Sequence, residues 1–144
     1  MNMDTPPPPP PPSGNGSGAA ALPANPLIGY WKLVVLARYA QFQGRARRAE
    51  FWWFVLANII ISVVLLVLTA IASVFIVLYV IFWLGMIIPS LAVGVRRLHD
   101  TGKSGWFLLL DLIPLVGPII LLVFFATDGT PGANQYGMSE KYPT

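Results

Sequence analysis

A chain of 144 residues is enough for one compact domain and no more. Hydrophobic residues make up 56% of it and charged residues 10%, against about 25% charge in a soluble domain, which excludes an ordinary soluble protein and makes a lipid bilayer the expected solvent. There is no cysteine and a single histidine, which excludes a disulfide framework and a zinc site built from the chain's own ligands. No cofactor and no nucleic-acid partner are expected.

The first five residues carry no basic side chain and no apolar stretch follows them. No cleavable signal is read there, so targeting is expected to rest on the first span as an uncleaved anchor. Residues 6–12 are all proline and residues 13–18 are Gly, Ser and Asn. Prolines favour an extended polyproline helix and the Gly/Ser run is flexible, so residues 1–26 have little to bury and are expected to be disordered. A plain spacer is the simplest reading, with a ligand for a proline-recognising domain as the alternative.

The membrane domain is expected over residues 27–142. Residues 30–42 (YWKLVVLARYAQF) are expected to be helical and to feed into the first span. An interfacial, membrane-lying placement is weakened by Arg38, which projects close to Trp31 and Phe42 on the wheel.

Between Glu50 and Arg96 there is no charged residue. Those residues, 51–95, would make a single helix about 68 Å long. A bilayer core is only about 30 Å thick, so the run must fold back once. Spans are expected at about 51–70 and 74–95, turning in the least bulky stretch, residues 69–73. A third apolar run, 106–126, is interrupted by Asp111, Pro114 and Pro118. One kinked span is favoured there, and a re-entrant hairpin bending at 114–118 is the alternative. The expected fold is all-α, a small bundle of about three transmembrane helices.

Basic residues set the orientation. Lys32, Arg38, Arg45, Arg47 and Arg48 precede the first span, Arg96, Arg97 and Lys103 follow the second, and the turn between them has none. Such residues stay on the cytoplasmic side, so the N-terminus and the loop after the second span are expected inside. Trp52, Trp53 and Trp106 then fall at the same inner interface as anchors.

Three polar clusters are candidates for function: 44–52, 96–106 and 128–137. The first two share the inner face, where Arg45, Arg48, Arg96, Arg97 and Lys103 can hold anionic headgroups at about 1 kcal/mol each. Glu50 and Asp100 are the available counter-charges, and a Glu50–Arg96 or Glu50–Arg97 pair would tie the spans together. The sequence Gly102-Lys103-Ser104 resembles the end of a phosphate-binding loop, but Arg97 occupies the position that needs glycine and a membrane span precedes it. His99 and Asp100 are adjacent and so point about 100° apart on a helix, which favours turn chemistry at 100–102 over an acid–base pair. Ser104 is a candidate N-cap for the helix that follows. Asp111 enters the third run about 9 Å deep if helical, where a carboxylate either pairs structurally or serves a proton or ion. Asn58 with Ser62, and Ser90 with Gly94, are candidates for helix contact.

The succession Gly-Arg-x-x-Arg-x-Glu-Phe-Trp (44–52), Arg-Arg-Leu-His-Asp-Thr-Gly-Lys-Ser-Gly-Trp (96–106), Ile-Pro-x-x-Gly (113–117) and Gly-x-x-Gly-x-Asn-x-Tyr-Gly (129–137) resembles the small bacterial inner-membrane proteins grouped as domain of unknown function 805. The resemblance covers residues 30–142, with Phe107 and Gln135 as small departures. It implies class and location and carries no activity. Two functions are therefore expected to compete. One is a non-enzymatic component binding anionic lipids, a membrane partner or a second copy of itself. The other is a small interfacial enzyme or transporter using His99, Asp100 and Asp111.

Overall fold

The computed structural model describes residues 22–141, and most of the tail expected to be disordered, residues 1–21, lies outside them. The elements are α1 (Pro26–Lys32), widening into a π-type turn over Leu33–Ala37, then α2 (Arg48–Ile71) and α3 (Phe75–Asp100). A 3₁₀ helix (Gly105–Leu112) and α4 (Val116–Ala126) complete the order. The fold is all-α, and among the described residues the only β pairing is an isolated bridge between Asn134 and Gly137.

α2 and α3 follow from the uncharged run. They contain 24 and 26 residues, about 36 and 39 Å of helix, so each exceeds the roughly 30 Å of a hydrocarbon core. They form an antiparallel pair that reverses at residues 72–74, where Ala72 is extended and its N–H closes the last turn on Leu68 O at 2.9 Å. Val63, Val67, Ile81 and Leu84 are each more than half exposed, the outward apolar surface that suits lipid.

Pro89 lies inside α3. A proline has no N–H for the carbonyl four residues back, here that of Gly85. The Tyr39 hydroxyl donates to Gly85 O at 2.7 Å and so satisfies the freed acceptor. Trp31 Nε1 donates to Asn58 Oδ1 at 3.1 Å, and the two contacts hold the N-terminal segment against both long helices. That segment is capped by Asn25, whose side chain accepts from Ile28 N, with Pro26 in the first turn. The helix expected over residues 30–42 ends at Ala37, and the segment packs on α2.

The run 106–126 corrects the expectation of one kinked span. It is two short helices joined by a reversal at residues 113–115, and α4, with 11 residues, covers only about 16 Å. Pro114 and Pro118 withhold two helical donors. Leu115 takes φ +66°, and Gly117 passes so close to Leu110 that an added Cβ would lie 1.5 Å from its carbonyl oxygen. Two prolines alone could have kinked a helix; with Gly117 the chain turns fully back. Both ends of this hairpin meet the same end of α3. Gly105 abuts Val95, and the carbonyls of Phe125 and Thr127 accept from Arg97. The small buried core sits at that end too, around Phe51, Phe54, Val93, Leu98, Leu121 and Phe125, with Phe51 and Phe125 ring centroids 4.4 Å apart.

Candidate functional site

The hairpin returns the C-terminal tail to the end where α2 begins and α3 finishes, and the three polar motifs meet there. Arg97, in the last turn of α3, donates to Asp100 Oδ2 at 2.6 Å, to Phe125 O at 3.0 Å and to Ala46 O at 3.3 Å. Arg45 takes the other carboxylate oxygen, Nε to Asp100 Oδ1 at 2.8 Å. Its remaining donors hold the tail, reaching the carbonyls of Thr130 at 2.5 Å, Gly132 at 2.7 Å and Gly137 at 3.3 Å. Asp100 thus pairs with two guanidiniums, one through each oxygen. Arg45, Arg97 and Asp100 are all buried.

A second pair lies beside the first. Glu50, in the first turn of α2, accepts from Arg96 at 2.5 Å and from Arg38 at 2.9 Å. Arg38 also reaches Glu140 of the tail at 2.9 Å. Burial and the nearby Glu50 carboxylate push the Glu140 carboxyl above its ordinary range, while Arg38 opposes that shift. Arg96 is fully buried, donates from Nε to Gln41 O at 3.0 Å, and has no partner for Nη2 among the described residues.

Local chemistry sets these side chains in place. α3 stops because Gly102 takes φ +76° and Lys103 N donates back to Leu98 O at 2.9 Å, a left-handed glycine cap. Thr101 Oγ1 closes on Leu98 O. Ser104 caps the 3₁₀ helix by accepting from Trp106 N. The tail folds through Asn134, whose side chain donates to His99 O and Thr130 Oγ1, each at 2.9 Å. The His99 ring stacks on Tyr136 with centroids 3.8 Å apart, and its Nδ1 lies 3.0 Å from Gly44 O.

Arg45, Glu50, Arg96, Arg97, His99 and Asp100 are therefore brought together, and all but His99 are buried in mutual ion pairs. The oxygens of both carboxylates are taken up by guanidinium donors, and the His99 nitrogen that faces Gly44 O must carry the proton to donate. Arg48 and Lys103 stand at the rim instead. Arg48, 43% exposed at its side chain, lies 3.5 Å from Asp128, and the Lys103 ammonium sits 4.7 Å from the Phe124 ring centroid. Trp106 is 78% exposed and Trp52 is partly so, while Trp53 is half-buried. Among the described residues no group of three or more His, Cys, Asp or Glu is placed to hold a metal ion.

Asp111 is elsewhere. It lines a groove of about 590 Å³ between α2, α3 and the hairpin, together with Asn58, Ser62 and Ser90. His99 and Asp100 do not line that groove, so it does not bring together the trio expected for an interfacial enzyme or transporter. The sequence alone did not single out Tyr39 or Glu140, nor Arg38 as more than a topology signal. For Tyr39 the signal was present, since Pro89 announces an acceptor in need of a donor. For Glu140 there was none.

The motifs that converge here are shared with known proteins. A model of the family described as protein of unknown function (DUF805) matches residues 39–138, taking in all three polar clusters and both long helices. This chain belongs to that family. The inner membrane protein YhaI of Escherichia coli (strain K12) is 43% identical, over 78% of this chain and 96% of the relative. The inner membrane protein YhaH of the same organism is 44% identical, over 77% of this chain and 96% of the relative. No solved structure matches the chain. With the two long apolar helices, the DUF805 membership makes this an all-α membrane protein.

Proposed function

We propose that the protein is a multi-pass component of the bacterial inner membrane that performs no chemistry of its own, with its arginine-rich end and both termini on the cytoplasmic side. Its work there is to present a rigid, basic face to anionic lipid headgroups or to a membrane partner. One observation carries this reading: every lysine and arginine except Lys32 lies at the end to which the 105–126 hairpin returns, while the turn at residues 72–74 has none. Basic residues concentrated on one side orient a membrane protein. The relatives' residence in the inner membrane supports the location.

The geometry also divides the labour among the cations. Arg45, Arg96 and Arg97 are sealed inside and hold α2, α3 and the tail together. Arg48 and Lys103 are the rim cations that can meet a headgroup, each worth about 1 kcal/mol near an anionic leaflet. Two experiments test the reading. A topology reporter fused after Thr144 is expected to report a cytoplasmic C-terminus; a periplasmic signal overturns the orientation. In native mass spectrometry, an Arg48→Ala/Lys103→Ala double variant is expected to lose co-purifying phosphatidylglycerol and cardiolipin while keeping its thermal stability. Unchanged lipid content would remove headgroups as the ligand of this face.

A further inference from the structure

We infer that the groove between α2, α3 and the hairpin is a binding site for an amphiphilic organic cation, whose apolar body lies along the aromatic wall and whose positive charge meets Asp111. The site is apart from the arginine end and its failure would leave the proposed function intact.

The argument begins with the register of the 3₁₀ helix. Side chains three residues apart eclipse in such a helix, so Leu108 and Asp111 share one face. Leu108 is level with Gly94 of α3, where an added Cβ would lie 3.3 Å from its Cδ2. Asp111 is one turn further from the polar end, about 6 Å deeper at the 3₁₀ rise, and both line the groove.

Asp111 is exposed on the lining of the groove, and its carboxylate is open to a ligand there. Glu50, Asp100, Asp128 and Glu140 each pair with an arginine or lysine. Asp111 is the one carboxylate among the described residues that meets neither a cation nor a hydrogen-bond donor of the chain. A charge inside a span costs about 2.5–3.5 kcal/mol even on the lenient insertion scale, and the residues opposite cannot relieve it: residues 51–95 carry no cation. A cation that enters from outside the chain can reach the exposed Asp111 in the groove.

The cavity states the size and character of what brings it. About 590 Å³ falls within the roughly 300–1,000 Å³ of small-molecule sites, which favour clefts between helices. A partner helix is about 10 Å across and too bulky for such a space. Phe54, Phe82, Trp83 and Met86 form its wall, a surface suited to apolar bodies and, through the indole face, to a cation. Asn58, Ser62 and Ser90 add a few polar atoms to an otherwise apolar lining, the composition that orients a ligand without excluding its body.

The test uses the full chain in nanodiscs of zwitterionic lipid, with tetraphenylphosphonium as probe and tetraphenylborate, of the same shape and opposite charge, as its control. Saturable binding of the cation is expected, at least tenfold tighter than that of the anion. Asp111→Asn should weaken the cation by tenfold or more, Asp111→Glu should retain most of the affinity, and Ser90→Leu, which fills the groove from an exposed position, should weaken both ions. Equal binding of the two ions, or cation affinity unchanged by both Asp111→Asn and Ser90→Leu, would overturn the site. Should Asp111→Asn fail to fold, the contrast between the two ions and the Ser90→Leu variant still decide the matter.

Discussion

Replacing Asp100 by alanine is expected to lower stability by about 3–5 kcal/mol, the cost of leaving a buried ion-pair partner uncompensated. The carboxylate is 3% exposed and its two oxygens serve two arginines, Arg45 at 2.8 Å and Arg97 at 2.6 Å. Without it, two guanidiniums remain buried with only carbonyl oxygens and the Thr130 hydroxyl to accept from them. The tail is expected to leave with Arg45, because the same guanidinium holds the carbonyls of Thr130 and Gly132. Asp128→Ala is the control. Asp128 is 41% exposed and pairs with Arg48 and Lys141 at the surface, where such pairs contribute under about 1 kcal/mol. Denaturant unfolding in detergent, followed by tryptophan fluorescence, reads both. Equal losses in the two variants would mean that the buried cluster does not clamp the fold.

Gly117→Ala is expected to open the 105–126 hairpin. The new methyl would sit 1.5 Å from the Leu110 carbonyl oxygen and 2.5 Å from its carbon. Backbone atoms have no rotamer with which to yield, so the cost exceeds the roughly 1–3 kcal/mol of ordinary overpacking. Opening the hairpin withdraws the carbonyls of Phe125 and Thr127 from Arg97 and frees the tail, so trypsin should release the C-terminus at Lys141 far faster than in the parent. Gly85→Ala makes the contrast. Nothing lies within 4 Å of a Cβ there, and alanine is the better helix former by about 1 kcal/mol, so this variant should be neutral or slightly more stable. Protection of Lys141 retained in Gly117→Ala would show that the turn tolerates a side chain and that the prolines suffice to make it.

Both expectations depend on features that differ in how far they can be read from sequence. The two long helices were legible because their cause is local and crude: residues 51–95 hold no charge, and a bilayer dictates how much apolar chain one helix can bury. The end of α3 was legible for a similar reason, since Thr101 and Gly102 form a stop closed on Leu98 whose geometry involves only their neighbours, although Asp100 serves the distant Arg45 instead. The third apolar run was not. Pro114 and Pro118 withdraw two donors whether the chain kinks or reverses, and the choice rests on how closely Gly117 approaches Leu110 once the reversal is made.

The basic residues show the same division. Counting charges near span ends gives the proposed orientation, because a bilayer responds to charge wherever it sits on the side chain's element. Counting does not separate a buried arginine from a surface one. Arg96 and Arg97 are adjacent to each other and near Lys103, yet the first two are sealed and Lys103 reaches the rim. That separation exists because the returning hairpin covers Arg97 with its carbonyls, while Glu50 and the Gln41 carbonyl seal Arg96. Asp111 shows the converse. Its depth was readable from its place in an apolar run, but its want of a partner became visible only when Glu50, Asp100, Asp128 and Glu140 had all been matched across 102 residues of separation or fewer. Amino-acid order thus determined what must be buried in lipid and which stretches of the chain carry the basic residues. Tertiary structure decided which charges answer one another, because ion pairs between distant segments depend on the path of the chain and leave no mark in its local composition.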